Sequence, residues 1–137
     1  MRFMMLVKSA ENSGPPPKEL MEAIAKLGEE ASKAGNMIET GGLAPAAMST
    51  RVRLAQGKIT ALDGPFAETR ELVGGYAIFE FSSKQEAVES TLNFMELHRE
   101  FWPGWEGETE IRQIFTQQDY TCESGSLALK PNGIHNS

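Results

Sequence analysis

Two side chains in this sequence have the chemistry that proton transfer needs, Asp63 and His98. An imidazole titrates near neutral pH and can serve as acid or base, while a carboxylate can act as a base or orient the imidazole. On a helical wheel His98 falls inside the apolar arc, beside Ala87, Thr91, Met95 and Trp102. The alternatives are an aspartate that bonds the backbone of a turn and a histidine buried in the core or at an interface.

A second set of side chains could bind a ligand: Arg70, Phe66, Tyr76 and Trp102. Arg70 could clamp a carboxylate through two parallel hydrogen bonds. Each assignment has a structural alternative. Arg70 could belong to a solvated charge cluster with Glu68 and Glu71. Phe66 could be a plug that holds its loop to the body, and the pair Trp102 and Trp105 could cap a helix end or an interface.

The sequence offers little for a metal, a nucleotide or a covalent intermediate. Glu96, His98 and Glu100 are two residues apart on a predicted helix, so they point to different sides. No set of Cys and His has zinc spacing, and the paired glycines do not open a helix as phosphate loops do. Cys122 has no histidine near it in sequence, which disfavours nucleophilic catalysis. We therefore expect no metal and no cofactor.

Composition excludes further classes of partner. The 137 residues have a formal net charge of −6 and a pI of about 5.0, and the basic residues are scattered. Nucleic acid and anionic membranes are poor partners, because both need clustered Lys and Arg. A single cysteine fits a reducing compartment, and no apolar run approaches the ~20 residues of a membrane span. We expect a cytoplasmic protein.

The elements that must position these side chains follow from periodicity and turn signals. The sequence predicts strands at 2–8, 36–43 and 73–81, a hairpin of 50–55 and 58–62 with Gln56-Gly57 at its tip, a last strand at 108–116, and helices from Pro17 to about Ala34 and from Ser82 or Ser83 to about Phe101. Ser82 with Gln85, or Ser83 with Glu86, is a capping box that starts the second helix. Asp63 is predicted in the loop after the hairpin.

This element order predicts the fold. Two β-α-β units in one small domain are typical of a ferredoxin-like α+β sandwich, with helices on one face of the sheet. We assign this domain to residues 1–119 and a polar C-terminal tail to residues 120–137. The other face of such a sheet is bare, and two protomers can bury these faces against each other, so we expect a homodimer.

The segment Asp63-Gly64-Pro65-Phe66-Ala67-Glu68-Thr69-Arg70-Glu71, followed by Gly74-Gly75-Tyr76, resembles the DGPF motif of the YCII-related family. The resemblance covers residues 1–118 and includes Gly42-Leu43-Ala44-Pro45. It implies a dimeric α/β barrel similar in architecture to muconolactone isomerase. It also implies a pocket in which a histidine and an aspartate meet, and for some relatives an association with extracytoplasmic-function sigma factors.

The chain departs from the family pattern where the family's chemistry would lie. The histidine of the shorter family members lies on the first helix, and residues 18–27 contain none. Their aspartate follows the second helix in an Asp-Pro pair, where this chain has Trp102-Pro103. The family's catalytic pair therefore cannot be transferred residue by residue. That His98 and Asp63 form a rearranged pair is a separate hypothesis, drawn from this sequence alone.

Three functions remain open at this point. The first is a metal-independent lyase, isomerase or hydrolase in which His98 moves a proton, Asp63 orients it or acts as base, and Arg70 holds an anionic small molecule. The second is a non-catalytic dimeric module that binds a small ligand or a protein, linked to sigma-factor regulation. In the third, the motif is purely structural. The distance between His98 and Asp63, and any cavity that they share, separates these hypotheses.

Overall fold

The described part of the chain contains one four-stranded sheet, two long helices and two separate hairpins. This computed structural model describes residues 1–10, 13–66, 71–117, 120–123 and 126–129. In chain order the elements are β1 (Arg2–Ala10), α1 (Lys18–Lys33), β2 (Met37–Gly42), a 3-10 helix (Ala46–Met48), β3 (Thr50–Ala55), β4 (Lys58–Asp63), β5 (Glu71–Glu80), α2 (Lys84–Phe101), β6 (Gly107–Ile114), β7 (Tyr120–Glu123) and β8 (Ser126–Leu129).

The four-stranded sheet has the order β2–β5–β1–β6, and all neighbouring strands are antiparallel. The strands of the two β-α-β units interleave, which is compatible with the ferredoxin-like α+β sandwich predicted from the sequence. Within the described residues β2 and β6 are the two edges of the sheet, so the single chain does not form a closed barrel.

The core lies on the helix side of the sheet. Phe3 and Met5 alternate along β1 and are 2% and 5% exposed, because the helices cover that face. The Thr91 hydroxyl of α2 lies 3.3 Å from the Met5 sulfur, and Leu20 of α1 is fully buried. The alternate residues of β1 point to the other face, the open face, where they are only half-buried.

Local signals explain where α2 begins. Ser83 has an extended backbone, and its hydroxyl accepts from the Glu86 amide at 3.2 Å. The Glu86 carboxylate reaches back and accepts from the Ser82 amide at 2.7 Å. Of the two predicted capping pairs the structure therefore has Ser83 with Glu86. Hydrogen bonds from Ser82 lower the pKa of Glu86, because they stabilise the carboxylate.

The hairpin of β3 and β4, residues 50–63, is called the arm below. Gln56 and Gly57 form its tip, both with positive φ (53° and 75°), as a two-residue hairpin turn requires. The strands pair with each other as a separate two-stranded sheet, in register from Thr50 opposite Asp63 to Ala55 opposite Lys58. The prediction of this hairpin is confirmed, but Asp63 is the last residue of β4 and does not lie in the loop that follows.

The region predicted as a polar tail contains an element that periodicity did not indicate. Strands β7 and β8 pair antiparallel, with Tyr120 opposite Leu129 and Glu123 opposite Ser126. Such short strands carry too few alternating residues for a period of two to stand out. The domain boundary at residue 119 stays a prediction.

Candidate functional site

His98 occupies a pocket of aromatic rings near the end of α2. Its side chain is 6% exposed, and its Nδ1 lies 3.0 Å from the carbonyl oxygen of Phe94, one turn earlier. A carbonyl oxygen can only accept, so Nδ1 carries the proton of this bond. The imidazole meets the Phe94 ring edge-on at 4.7 Å and the Trp105 ring at 4.6 Å between centroids. These contacts hold the ring in one orientation.

The other ring nitrogen of His98, Nε2, is free to contact a ligand. Nε2 has no hydrogen-bond partner among the described residues, where every fully buried side-chain nitrogen or oxygen has one. Nε2 must therefore keep some contact with solvent. In the neutral imidazole this atom carries the free lone pair, which makes it the nitrogen that can accept a proton or a hydrogen bond from a ligand.

An open groove lies beside Trp105, the ring that contacts His98, and His98 itself is not among the residues that line it. Trp102 and Trp105 stack with their ring centroids 5.7 Å apart and their planes at 23°. The groove has a volume of about 330 Å³ and is lined by Ser13, Trp102, Pro103, Gly104, Trp105 and Glu106. A side chain at position 107 would place its Cβ 2.3 Å from the Trp105 ring, so Gly107 is what allows this ring to lie against β6. We call this groove the tryptophan groove.

Asp63 lies at the base of the arm, and its hydrogen-bond partner belongs to the arm and not to the aromatic pocket around His98. It is exposed, and its Oδ1 accepts from the Thr50 hydroxyl at 2.6 Å, across the strand pair that closes the arm. Among the described residues no hydrogen bond joins Asp63 to His98. The structure thus gives each of the two predicted catalytic residues its own partner and does not bring them into contact.

The described half of the DGPF segment builds the base of the arm. The Gly64 amide donates to the Ser49 carbonyl at 2.8 Å, and a Cβ at position 64 would lie 2.3 Å from the Ala46 carbonyl oxygen. Phe66 is 7% exposed, and the Arg51 guanidinium lies 3.8 Å above its ring centroid. The glycine and the phenylalanine therefore have a packing role at this position.

The other predicted binding residues lie apart from one another. Tyr76 projects from the open face, since it pairs with Leu6 and not with Phe3 or Met5. Its hydroxyl donates to Glu39 Oε2 at 2.6 Å, and this hydrogen bond raises the pKa of Tyr76. Arg70 lies outside the described residues. Of the predicted ligand-binding set, Trp102 is the one that the structure places at the tryptophan groove beside His98.

Sequence analysis missed several parts of this site. Phe94 orients His98 through its carbonyl, and the spacing of four residues on a helix was the signal for it. Ser13 and Glu106 line the groove without any motif. A second groove of about 440 Å³ between α2 and β6 was also missed. Its lining includes the apolar residues Val88, Leu92, Met95 and Ile111. Tertiary packing alone brings Ser13 to the tryptophan groove and brings β6 against α2 at the second groove.

No group of three or more His, Cys, Asp and Glu side chains in the described residues could hold a metal ion. Neither described helix has the length and hydropathy that crossing a membrane requires.

Comparison with known proteins gives one family. A profile of the YCII-related domain matches residues 1–93, and the chain belongs to this family. No curated protein matches the sequence closely enough to transfer a function. The matched region contains Asp63 and the DGPF segment but ends before His98 and the tryptophan groove.

Proposed function

For this YCII-related protein we propose a homodimeric module that binds a small organic molecule in the tryptophan groove, with His98 as its protonable group. The observation that carries the proposal is the state of His98. Its Nδ1 is bonded to Phe94 and its ring is held by Trp105, while Nε2 has no partner among the described residues. A buried imidazole with one nitrogen fixed and the other available is a common arrangement for contacting a ligand.

The groove supports the same proposal by its composition. Stacked indole rings offer flat apolar surface to a ligand at little cost in side-chain entropy. The Glu106 carboxylate at the rim is exposed and has no partner among the described residues. A ligand with an aromatic or flat unsaturated body suits the indoles. A hydroxyl group can donate to the Nε2 lone pair, and a carboxylate can accept from Nε2 once the imidazole is protonated.

Proton transfer at His98 is a second candidate function, and Nε2 is the observation that favours it. The reaction would be a metal-independent lyase, isomerase or hydrolase step in which Nε2 removes or delivers a proton. The pairing of His98 with Asp63 remains a proposal. It requires the two side chains to approach each other across the dimer or through movement of the arm, because Asp63 is bonded to Thr50 within one chain.

The dimer in this proposal uses the open face of the sheet. Met4, Leu6 and Ile78 lie there between two charged pairs, Arg2 with Glu80 and Lys8 with Glu110. A half-buried apolar centre with a charged rim is typical of protein interfaces. Burial of two such faces against each other would form the dimeric α/β barrel. Light scattering at micromolar concentration tests it, and a monomeric mass would contradict it.

The binding proposal can be tested by intrinsic fluorescence. Both tryptophans of the chain, Trp102 and Trp105, line the groove, so any ligand-induced change in indole emission reports on this site. We would screen small carboxylates and hydroxyl compounds by thermal shift and titrate hits by fluorescence. A true ligand at 100 times its dissociation constant adds ~2.7 kcal/mol of stability.

Matched variants then separate binding from chemistry. Trp102→Ala should weaken a hit at least about tenfold, whereas Leu92→Ala, an exposed change in α2 outside the lining of the groove, should not. His98→Gln should remove turnover and its pH dependence if Nε2 moves a proton. Asp63→Asn with unchanged turnover would remove Asp63 from the mechanism. If Trp102→Ala binds every hit like the wild type, the groove is not the ligand site.

A further inference from the structure

The arm presents an apolar face that nothing in the described residues of the chain covers. Val52, Leu54 and Ile59 are 71%, 70% and 69% exposed. The register places them on one face, since Leu54 stands opposite Ile59 and Val52 opposite Ala61. The opposite face carries Arg51, Arg53 and Lys58. The arm is therefore an amphipathic ribbon whose apolar side faces solvent in the single chain.

Such a ribbon needs a partner. An isolated two-stranded hairpin is marginally stable in water, and it becomes stable when a third strand, a sheet or a helix covers its apolar face. The base of the arm is well held, by the Thr50–Asp63 and Gly64–Ser49 hydrogen bonds and by Arg51 on Phe66. These contacts lie at one end, so they leave the face of Val52, Leu54 and Ile59 uncovered.

The charge of the arm indicates what covers it. Three cations, Arg51, Arg53 and Lys58, and one carboxylate, Asp63, give the arm a formal charge of +2. The whole chain carries −6, so the rest of it carries −8. A cationic ribbon and an acidic body of this size attract each other. A second copy of this chain offers such an acidic body.

We propose that the arm of one protomer packs its apolar face onto a second copy of this chain, so that two arms are exchanged in the dimer. This inference rests on the proposed homodimer and goes beyond it, since a dimer formed by the sheets alone does not require the arm. It also assigns the DGPF segment a role, because Gly64 and Phe66 set the base from which the arm projects.

A matched pair of substitutions tests the arm directly. Leu54→Thr changes the apolar face, and Leu62→Thr makes the same chemical change on the opposite face, where Leu62 is 59% exposed. Threonine suits strands, so both variants should keep the hairpin. By sedimentation velocity we expect Leu54→Thr to raise the dimer dissociation constant at least about tenfold and Leu62→Thr to change it less than about threefold.

The outcomes separate the arm from the dimer. A wild-type monomer at micromolar concentration would overturn both the dimer and the arm exchange. A wild-type dimer that is equally tight with Leu54→Thr and with Leu62→Thr would overturn the arm exchange and leave the sheet-face dimer intact. If instead wild type, but not Leu54→Thr, floats with vesicles of phosphatidylserine and phosphatidylcholine while both remain equally dimeric, the occupant is a lipid surface and the inference is wrong.

Hydrogen exchange of the wild-type protein gives a second readout that needs no variant. We expect amides of residues 52–61 to exchange more slowly at concentrations where the dimer forms than after dilution to monomer. Equal exchange rates at both concentrations, with the dimer shown by light scattering, would contradict arm exchange.

Discussion

Strand β1 and the arm have similar sequence patterns and opposite surroundings. In β1, Phe3 and Met5 alternate with residues of the open face and are 2% and 5% exposed. In the arm, Val52 and Leu54 alternate with arginines and are 71% and 70% exposed. The difference lies in what covers each strand, since α1 and α2 lie over β1 and no described helix covers the arm. The comparison shows that alternation predicts an apolar face but does not say which body buries it.

The two predicted catalytic residues also lie one in the helix-covered part of the molecule and one in the arm. His98 belongs to the covered side, where the Phe94 carbonyl and the Trp105 ring orient it. Asp63 belongs to the arm, where it closes the last strand pair with Thr50. Each side chain therefore has a structural partner in its own region. A reaction that uses both His98 and Asp63 would require the dimer, or a movement of the arm, to bring the two regions together.

The largest expected effect is on the covered side. Phe3→Ala should lower the free energy of unfolding by about 3–5 kcal/mol, because it leaves a cavity under both helices. Leu54→Ala, the matched loss of an apolar side chain in the arm, should change the stability of the monomer by less than about 0.5 kcal/mol. Urea unfolding at a concentration that favours the monomer measures both. Equal losses would mean that the arm is packed within its own chain.

The next effect tests the base of the arm. Gly64→Ala should cost about 1–3 kcal/mol, because the new Cβ would lie 2.3 Å from the backbone carbonyl of Ala46. Gly74→Ala is the control, since a Cβ there meets nothing within 4 Å. Thermal unfolding compares them. If the two variants lose the same stability, the close approach at Gly64 is not what selects glycine in the DGPF segment.

A smaller effect tests the start of the covering helix. Ser83→Ala should cost about 1 kcal/mol, because it removes the hydroxyl that accepts from the Glu86 amide. Ser32→Ala, an exposed change near the end of α1, should have little effect. Chemical denaturation followed by circular dichroism measures both. A Ser83 variant as stable as the wild type would show that the tertiary contacts of α2 hold its first turn without the cap.

The smallest effect concerns pH and the open face. The Lys8 ammonium lies 2.5 Å from the Glu110 carboxylate and lowers the pKa of Glu110. Its hydrogen bond is the larger cause and its positive charge the smaller one. A lowered folded-state pKa means that this stabilisation is fully present above the ordinary glutamate pKa of about 4.3. It is lost as the pH falls through the lower folded-state value.

Glu110→Gln should therefore cost little stability at pH 7, since the pair remains partly exposed to solvent, and should flatten the acid limb of the stability–pH curve. Glu108→Gln, a neighbouring change at a carboxylate for which the described residues offer no ion pair, is the control. Thermal unfolding between pH 3 and pH 7 measures the curves, and identical curves for both variants would contradict the assignment.

Much of the fold could be predicted from the sequence. The alternation of β1, the capping serine of α2 and the Gln56-Gly57 turn are local signals, and the structure has all three elements. The strands β7 and β8 were missed because they are only four residues each. The site was harder to predict, since Phe94 and Trp105 reach His98 from a helix and from the segment after it. The helical spacing of four residues indicates the Phe94 contact, but no periodicity indicates the contact with Trp105.

By itself, the sequence determined the order of the elements from β1 to β6, the two faces of strands such as β1 and β3, and membership in the YCII-related family. These properties depend on neighbours along the chain. Only the tertiary structure decided that His98 stands among aromatic rings, that Asp63 closes the arm, and that Gly64 faces a backbone carbonyl. Those contacts join residues that are separated along the chain and meet only when the chain is folded. Local propensity carries no information about such contacts.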